Sequence, residues 1–170
     1  MRIVVDTNTL ADALFGAQIR GREDHARHAR VLLARIQSGE FEWITSESIV
    51  REYMFVTGFL IAPALMRLLP PRVQLSRFQE LPRKLKAPLE KVYRLVMAHS
   101  ETVVINEPLP PHVPMPPDPH DVVFIEAAYF GNADAIVTRD HHLNGLPSFE
   151  TSSGHSCALL SAWQLVGGQR

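Results

Sequence analysis

Met1-Arg2-Ile3-Val4-Val5-Asp6-Thr7-Asn8-Thr9-Leu10 is the stretch from which the fold is read. Ile3, Val4 and Val5 form a continuous apolar run, short enough for a buried strand. Asp6 follows at once, at the carboxyl end of that strand. In open α/β sheets this is the edge where ligands bind. Thr7, Asn8 and Thr9 then supply small polar groups suited to capping a helix. A carboxylate beside the low-dielectric core is costly unless it is paired or bound to a metal. Alone, Asp6 serves equally as a helix cap, so a functional role requires further acids that reach the same edge.

The chain supplies them. Ala135-Ile136-Val137 reads as a buried strand, followed by Thr138-Arg139-Asp140. Thr102 to Ile105 reads as another strand, after which seven prolines fall between Pro108 and Pro119. That density forbids helix and disfavours a central strand, so residues 106–119 form a stiff loop. The loop delivers Asp118 and Asp121 to the start of a helix carrying Phe124, Ile125, Ala127 and Ala128 and ending at Gly131-Asn132. In a right-handed parallel sheet these junctions share one edge. Converging carboxylates repel one another. A hard divalent cation such as Mg²⁺ or Mn²⁺ relieves that repulsion, activates water and polarises a phosphate oxygen, which points to phosphodiester hydrolysis.

Between these landmarks the pattern alternates. Leu10, Ala13 and Leu14 fit a short helix ending near Gly16, and residues 22–38 a second helix that Gly39 stops. Phe41, Trp43 and Ile44 suggest a strand closed by Thr45-Ser46. Ser46 caps a helix carrying Ile49, Val50, Tyr53 and Met54, with Glu52 inside it. The span 61–82 reads as short helical pieces about a turn at Pro70-Pro71, and Leu85, Leu89, Val92, Leu95 and Val96 as a longer amphipathic helix. His141 to Pro147 reads as a loop, Ser156 to Leu160 as the last strand and Ala162 to Val166 as a terminal helix. Strand–helix alternation predicts an α/β fold with a parallel sheet of about four or five strands and helices on both faces.

Length and composition set bounds. With 170 residues, 46% hydrophobic and 21% charged, the chain suits one soluble domain over 1–170 and not a disordered polymer. No apolar run approaches the roughly 20 residues that span a bilayer. A strand followed by an acid is unlike a signal peptide, so a cytoplasmic location without membrane attachment is expected. The single Cys157 excludes an internal disulfide or a Cys-rich zinc site, and its apolar neighbours predict a buried structural thiol. The eight histidines form no HExxH or His/Cys framework, which argues against structural zinc. Trp43 and Trp163 are expected to pack. Net charge is −1, which excludes a globally basic nucleic-acid binder. The charge is nevertheless segregated, +6 over residues 67–94 and −7 over 95–150. These are a track for a polyanion beside a source of metal ligands, or simply two solvated surfaces.

Four stretches, in order, carry a resemblance: Ile3-Val-Val-Asp-Thr-Asn8, Ser46-Glu-Ser-Ile-Val-Arg-Glu-Tyr53, Asp118-Pro-His-Asp-Val-Val-Phe-Ile-Glu-Ala-Ala128 and Ala133-Asp-Ala-Ile-Val-Thr-Arg-Asp140. The set resembles the PIN-domain ribonucleases, in particular VapC-type toxins of toxin–antitoxin pairs, and Cys157-Ala-Leu-Leu-Ser161 resembles their closing strand. The resemblance implies a three-layer α/β/α fold. It also implies Mg²⁺- or Mn²⁺-dependent hydrolysis of RNA by one or two ions, leaving 5′-phosphate and 3′-hydroxyl ends. Asp6, Glu52, Asp121 and Asp140 are then the catalytic metal ligands, Glu52 binding directly or through water. Asn8 and Thr138 orient ligands or water. Asp118 is an outer acid or a turn residue before Pro119. Arg67, Arg72, Arg77, Arg83, Lys84 and Lys86 are candidates for the RNA backbone, in a helical region (about 60–100) that matches the family least. Implied partners are RNA, a small antitoxin protein and a second copy in a homodimer. Aspartyl-phosphate phosphohydrolases begin similarly but resemble a pattern with an acid two residues after the first, where this chain has Asn8. The remaining alternative is a catalytically weak PIN-fold module that binds RNA or protein.

Overall fold

Ile3, Val4 and Val5 lie in β1 (Arg2–Val5), near the middle of a six-stranded sheet. The computed structural model describes residues 1–18, 21, 23–61 and 83–167. The other strands are β2 (Glu42–Ser46), β3 (Ser100–Val103), β4 (Ala135–Val137), β5 (Phe149–Glu150) and β6 (Ser156–Leu160). Their spatial order is β3-β2-β1-β4-β6-β5. The first five in that order pair in parallel, and β5 joins β6 antiparallel. The sheet thus has one strand more than the four or five expected. The addition is the two-residue β5, too short to leave a periodic signal.

The helices are α1 (Thr7–Phe15), α2 (Glu23–Gln37), α3 (Glu47–Ile61), α4 (Arg83–His99), α5 (Val122–Phe130), α6 (His141–Asn144) and α7 (Ala162–Gly167). α1 packs on α2 and α2 on α7, while α5 lies across β1, β2 and β4, and α3 packs on α4. This is a three-layer α/β/α arrangement with a mostly parallel sheet. β4 is buried throughout and β1 from Ile3 to Val5, as expected for parallel strands covered on both faces. α5 is apolar nearly all round, with Phe124, Ile125, Ala127 and Ala128 fully buried. At its end, Gly131 lets the chain pass the sheet: an added Cβ would sit 2.4 Å from Ile44 Cγ2.

Boundaries shift where burial is weak. The third strand is Ser100–Val103 rather than Thr102–Ile105. It is an edge strand, and the apolar Val104 that drew the expectation is exposed. The expected loop after Asp140 begins with the four-residue α6. The helical pieces expected over 62–82 lie outside the described residues. Cys157 is buried and free, its thiol pushed up to about 12 by burial. Trp43 packs as expected, whereas Trp163 is exposed.

Candidate active site

The sheet order places a topological switch point between β1 and β4. From β1 the chain steps outward to β2 and β3, then returns across β1 to β4. Crevices at such points, outside the strand carboxyl ends, bind ligands. Val5, Val137 and Leu160 lie abreast, so Asp6, Thr138 and Ser161 emerge side by side. The backbone ties are direct: Asp6 N donates to Val137 O at 2.9 Å and Thr138 N to Leu160 O at 2.8 Å.

Asp6 is the N-cap of α1 and is only 2% exposed. Its Oδ1 accepts from Asn8 N at 3.2 Å, and its Oδ2 accepts from Thr138 Oγ1 at 2.9 Å. Thr138 Oγ1 in turn accepts from Asp140 N at 2.9 Å, and Asp140 Oδ1 caps α6 by accepting from His142 N at 2.8 Å. One buried hydroxyl therefore sets the spacing of two acid-bearing segments. Glu52 reaches the same region from α3, where its Oε1 accepts from Thr7 Oγ1 at 2.6 Å. The next residue, Tyr53, is fully buried and donates to Val5 O, fastening α3 to the end of β1. Asp121 closes the 3₁₀ turn Pro119–Asp121 at the mouth of α5. Asp118 starts that turn, its Oδ1 accepting from His120 N at 2.9 Å.

Electrostatics join what hydrogen bonds do not. Burial raises the Asp6 pKa to about 7, with Glu52 and Asp121 adding to the rise and the Thr138 and Asn8 hydrogen bonds opposing it. Glu52 is raised by burial and by the charges of Asp121 and Asp118, against its Thr7 hydrogen bond and His120. Asp121 is raised by burial, then by Asp140 and Asp118. Asp121 thus links the set, acting on Asp6 and on Glu52 while Asp140 acts on it, with His120 and His142 opposing.

The donor set consists of carboxylates and hydroxyls, the hard oxygen chemistry that suits Mg²⁺ or Mn²⁺. The raised proton affinities come first from burial and next from the neighbouring acids. Among the described residues, however, no three His, Cys, Asp or Glu side chains stand close enough together to hold one ion. The chemistry of the donors fits a divalent cation. Coordination requires the carboxylates to draw closer than they stand.

Of the RNA-backbone candidates, Arg67, Arg72 and Arg77 lie outside the described residues. Arg83 and Lys84 begin α4, and Lys86 is half-buried on it. A feature not anticipated from the sequence is Arg139. Its Nε lies 2.7 Å from Oδ2 of Asp12, a carboxylate 1% exposed, in a close charge contact without the alignment of a hydrogen bond. The only sequence signal was an arginine between two candidate site residues.

A comparison with protein families matches the PIN domain over residues 2–142. Searches of curated proteins and of solved structures returned no match.

Proposed function

This chain belongs to the PIN-domain family, and from that premise we propose that it is a Mg²⁺- or Mn²⁺-dependent endoribonuclease, the toxin of a toxin–antitoxin pair. The observation that carries the proposal is the buried Asp6 at the switch point, its proton affinity raised further by Glu52 and Asp121. Asp6, Asp121 and Asp140 would hold one or two cations, with Glu52 bound directly or through water. The cation, when bound, offsets the repulsion among these acids, polarises a phosphate oxygen and lowers the pKa of water.

The protein's own groups do the positioning. Thr138 Oγ1 fixes Asp6 Oδ2 while accepting from the Asp140 backbone, so the two acids keep a set separation. Thr7 Oγ1 donates to Oε1 of Glu52 and so fixes that carboxylate where a cation or its bound water would meet it. Burial shields the Asp6 carboxylate from screening by bulk water. The basic segment 67–94 supports RNA as the polyanion, while the antitoxin and homodimer rest on family resemblance. Among the described residues no helix is long and apolar enough to cross a membrane.

One observation favours a second reading. The acids stand short of ligand spacing, as a non-catalytic RNA- or protein-binding module would allow. Purified protein incubated with mixed cellular RNA in Mn²⁺ or in EDTA separates the two. Cleavage in Mn²⁺ alone, abolished in Asp121→Asn and leaving 5′-phosphate ends, supports the nuclease. Intact RNA with retained RNA binding supports the module.

A further inference from the structure

On the β6 side of the switch point lies a cavity of about 310 Å³ that the acidic cluster does not use. Its walls include Thr9 and Asp12 of α1, His25 and His28 of α2, Arg139 after β4, and Trp163 of α7. Thr9 stands three residues beyond Asp6, and Arg139 lies between Thr138 and Asp140, so the cavity and the acids share two chain segments. Ser161, also in the wall, emerges beside Thr138 from the neighbouring strand.

The lining combines an aromatic surface with one guanidinium. Trp163 lies against Gly167 of its own helix, where an added Cβ would come within 3.0 Å of the indole, yet the residue stays 58% exposed. Arg139 is held at the wall by the buried Asp12, and its side chain remains 27% exposed. The volume is at the lower end of the roughly 300–1,000 Å³ of small-ligand pockets, room for about one nucleotide.

We infer that this cavity is a subsite for one unpaired nucleotide of the RNA next to the scissile phosphate, with the base on Trp163 and a phosphate at Arg139. The inference rests on the nuclease proposal and adds the place where a nucleotide beside the cut is held. Base stacking on an aromatic ring is tolerant of sequence and needs an unstacked base, which a duplex does not offer. Because Asp12 offsets the charge of Arg139, stacking carries more of the binding than phosphate contacts do.

The two tryptophans make the test selective, since Trp43 is buried and Trp163 is exposed. The full chain in EDTA is titrated with a short fluorescently tagged single-stranded RNA, following its anisotropy, and with the untagged strand, following tryptophan emission. The same titrations are made with the matching duplex, and RNA cleavage in Mn²⁺ is measured in parallel. Expected are quenching by the single strand only, and affinity roughly ten- to a hundredfold weaker in Trp163→Ala. Trp163→Phe should keep most of the affinity while losing the quench, which separates stacking from a folding defect. Cleavage and RNA binding that persist unchanged in Trp163→Ala, or equal quenching by the duplex, would overturn the subsite and leave the nuclease standing. Absence of both binding and cleavage in the folded wild type would overturn the nuclease reading and the subsite with it.

Discussion

Replacing Asp6 with asparagine removes a charge from a side chain that is 2% exposed, and it should make the metal-free protein more stable at alkaline pH. The folded-state pKa of Asp6 is raised, chiefly by burial, from an ordinary 3.8 to about 7. An acid raised on folding contributes most to stability below its unfolded value. That contribution is lost as pH climbs from about 3.8 through about 7. The full difference corresponds to roughly 4 kcal/mol at pH 8. Asparagine recovers only part of it. Its carbonyl can still accept from Asn8 N, but its amide meets Thr138 Oγ1, which already accepts from Asp140 N. A net gain of about 2 kcal/mol is expected, or about 4–8 °C in Tm for a chain of this size. Thermal melts in EDTA at pH 5 and pH 8 read this directly, with the gap between variant and wild type shrinking at pH 5. With Mn²⁺ at about a hundred times its Kd, the wild type should regain about 2.7 kcal/mol and the variant little. A variant that melts at or below the wild type at pH 8, by the same margin at pH 5, would refute the assignment of Asp6 as a strained, cation-seeking carboxylate.

Thr138→Val keeps the side chain's shape but strands Asp6 Oδ2 and Asp140 N, so a loss of about 1–3 kcal/mol is expected in urea unfolding, with reduced RNA cleavage. Thr138→Ser should restore both. Arg139→Gln removes one charge partner of the buried Asp12 and should destabilise by about 1–3 kcal/mol, with a non-zero coupling to Asp12→Asn in a double-mutant cycle. Gly131→Ala would put a Cβ 2.4 Å from Ile44 Cγ2 and 2.5 Å from Ala127 O, so calorimetry should show a loss of about 1–3 kcal/mol at a site remote from the acids.

The strand-end acids were legible in the sequence because burial and position go together there. Val5 and Val137 are core residues, and Asp6 directly after the one and Asp140 three residues after the other emerge at the sheet edge. Glu52 was harder, since a helix interior gives no edge signal. Its place depends on Thr7 and on the Tyr53 hydrogen bond that holds α3 to β1. The pairing of Arg139 with Asp12 joins residues 127 positions apart and has no local signature. The exposure of Trp163 was equally hidden, because a tryptophan one residue into an apolar helix looks like a core residue. The third strand was displaced by two residues because an edge strand with Ser100 and Glu101 lacks the apolar run that marks β1 and β4. The short β5 and α6 arise from pairing with β6 and capping by Asp140, and neither leaves a period to read.

The most direct test of the acidic site is a calorimetric Mn²⁺ titration of folded wild type and Asp121→Asn, without RNA, at neutral pH. Saturable binding by the wild type is expected, with affinity at least about tenfold weaker once one carboxylate is removed. Equal affinity in both proteins, or no heat of binding in the wild type, would contradict a site in which Asp6, Glu52, Asp121 and Asp140 share a divalent cation.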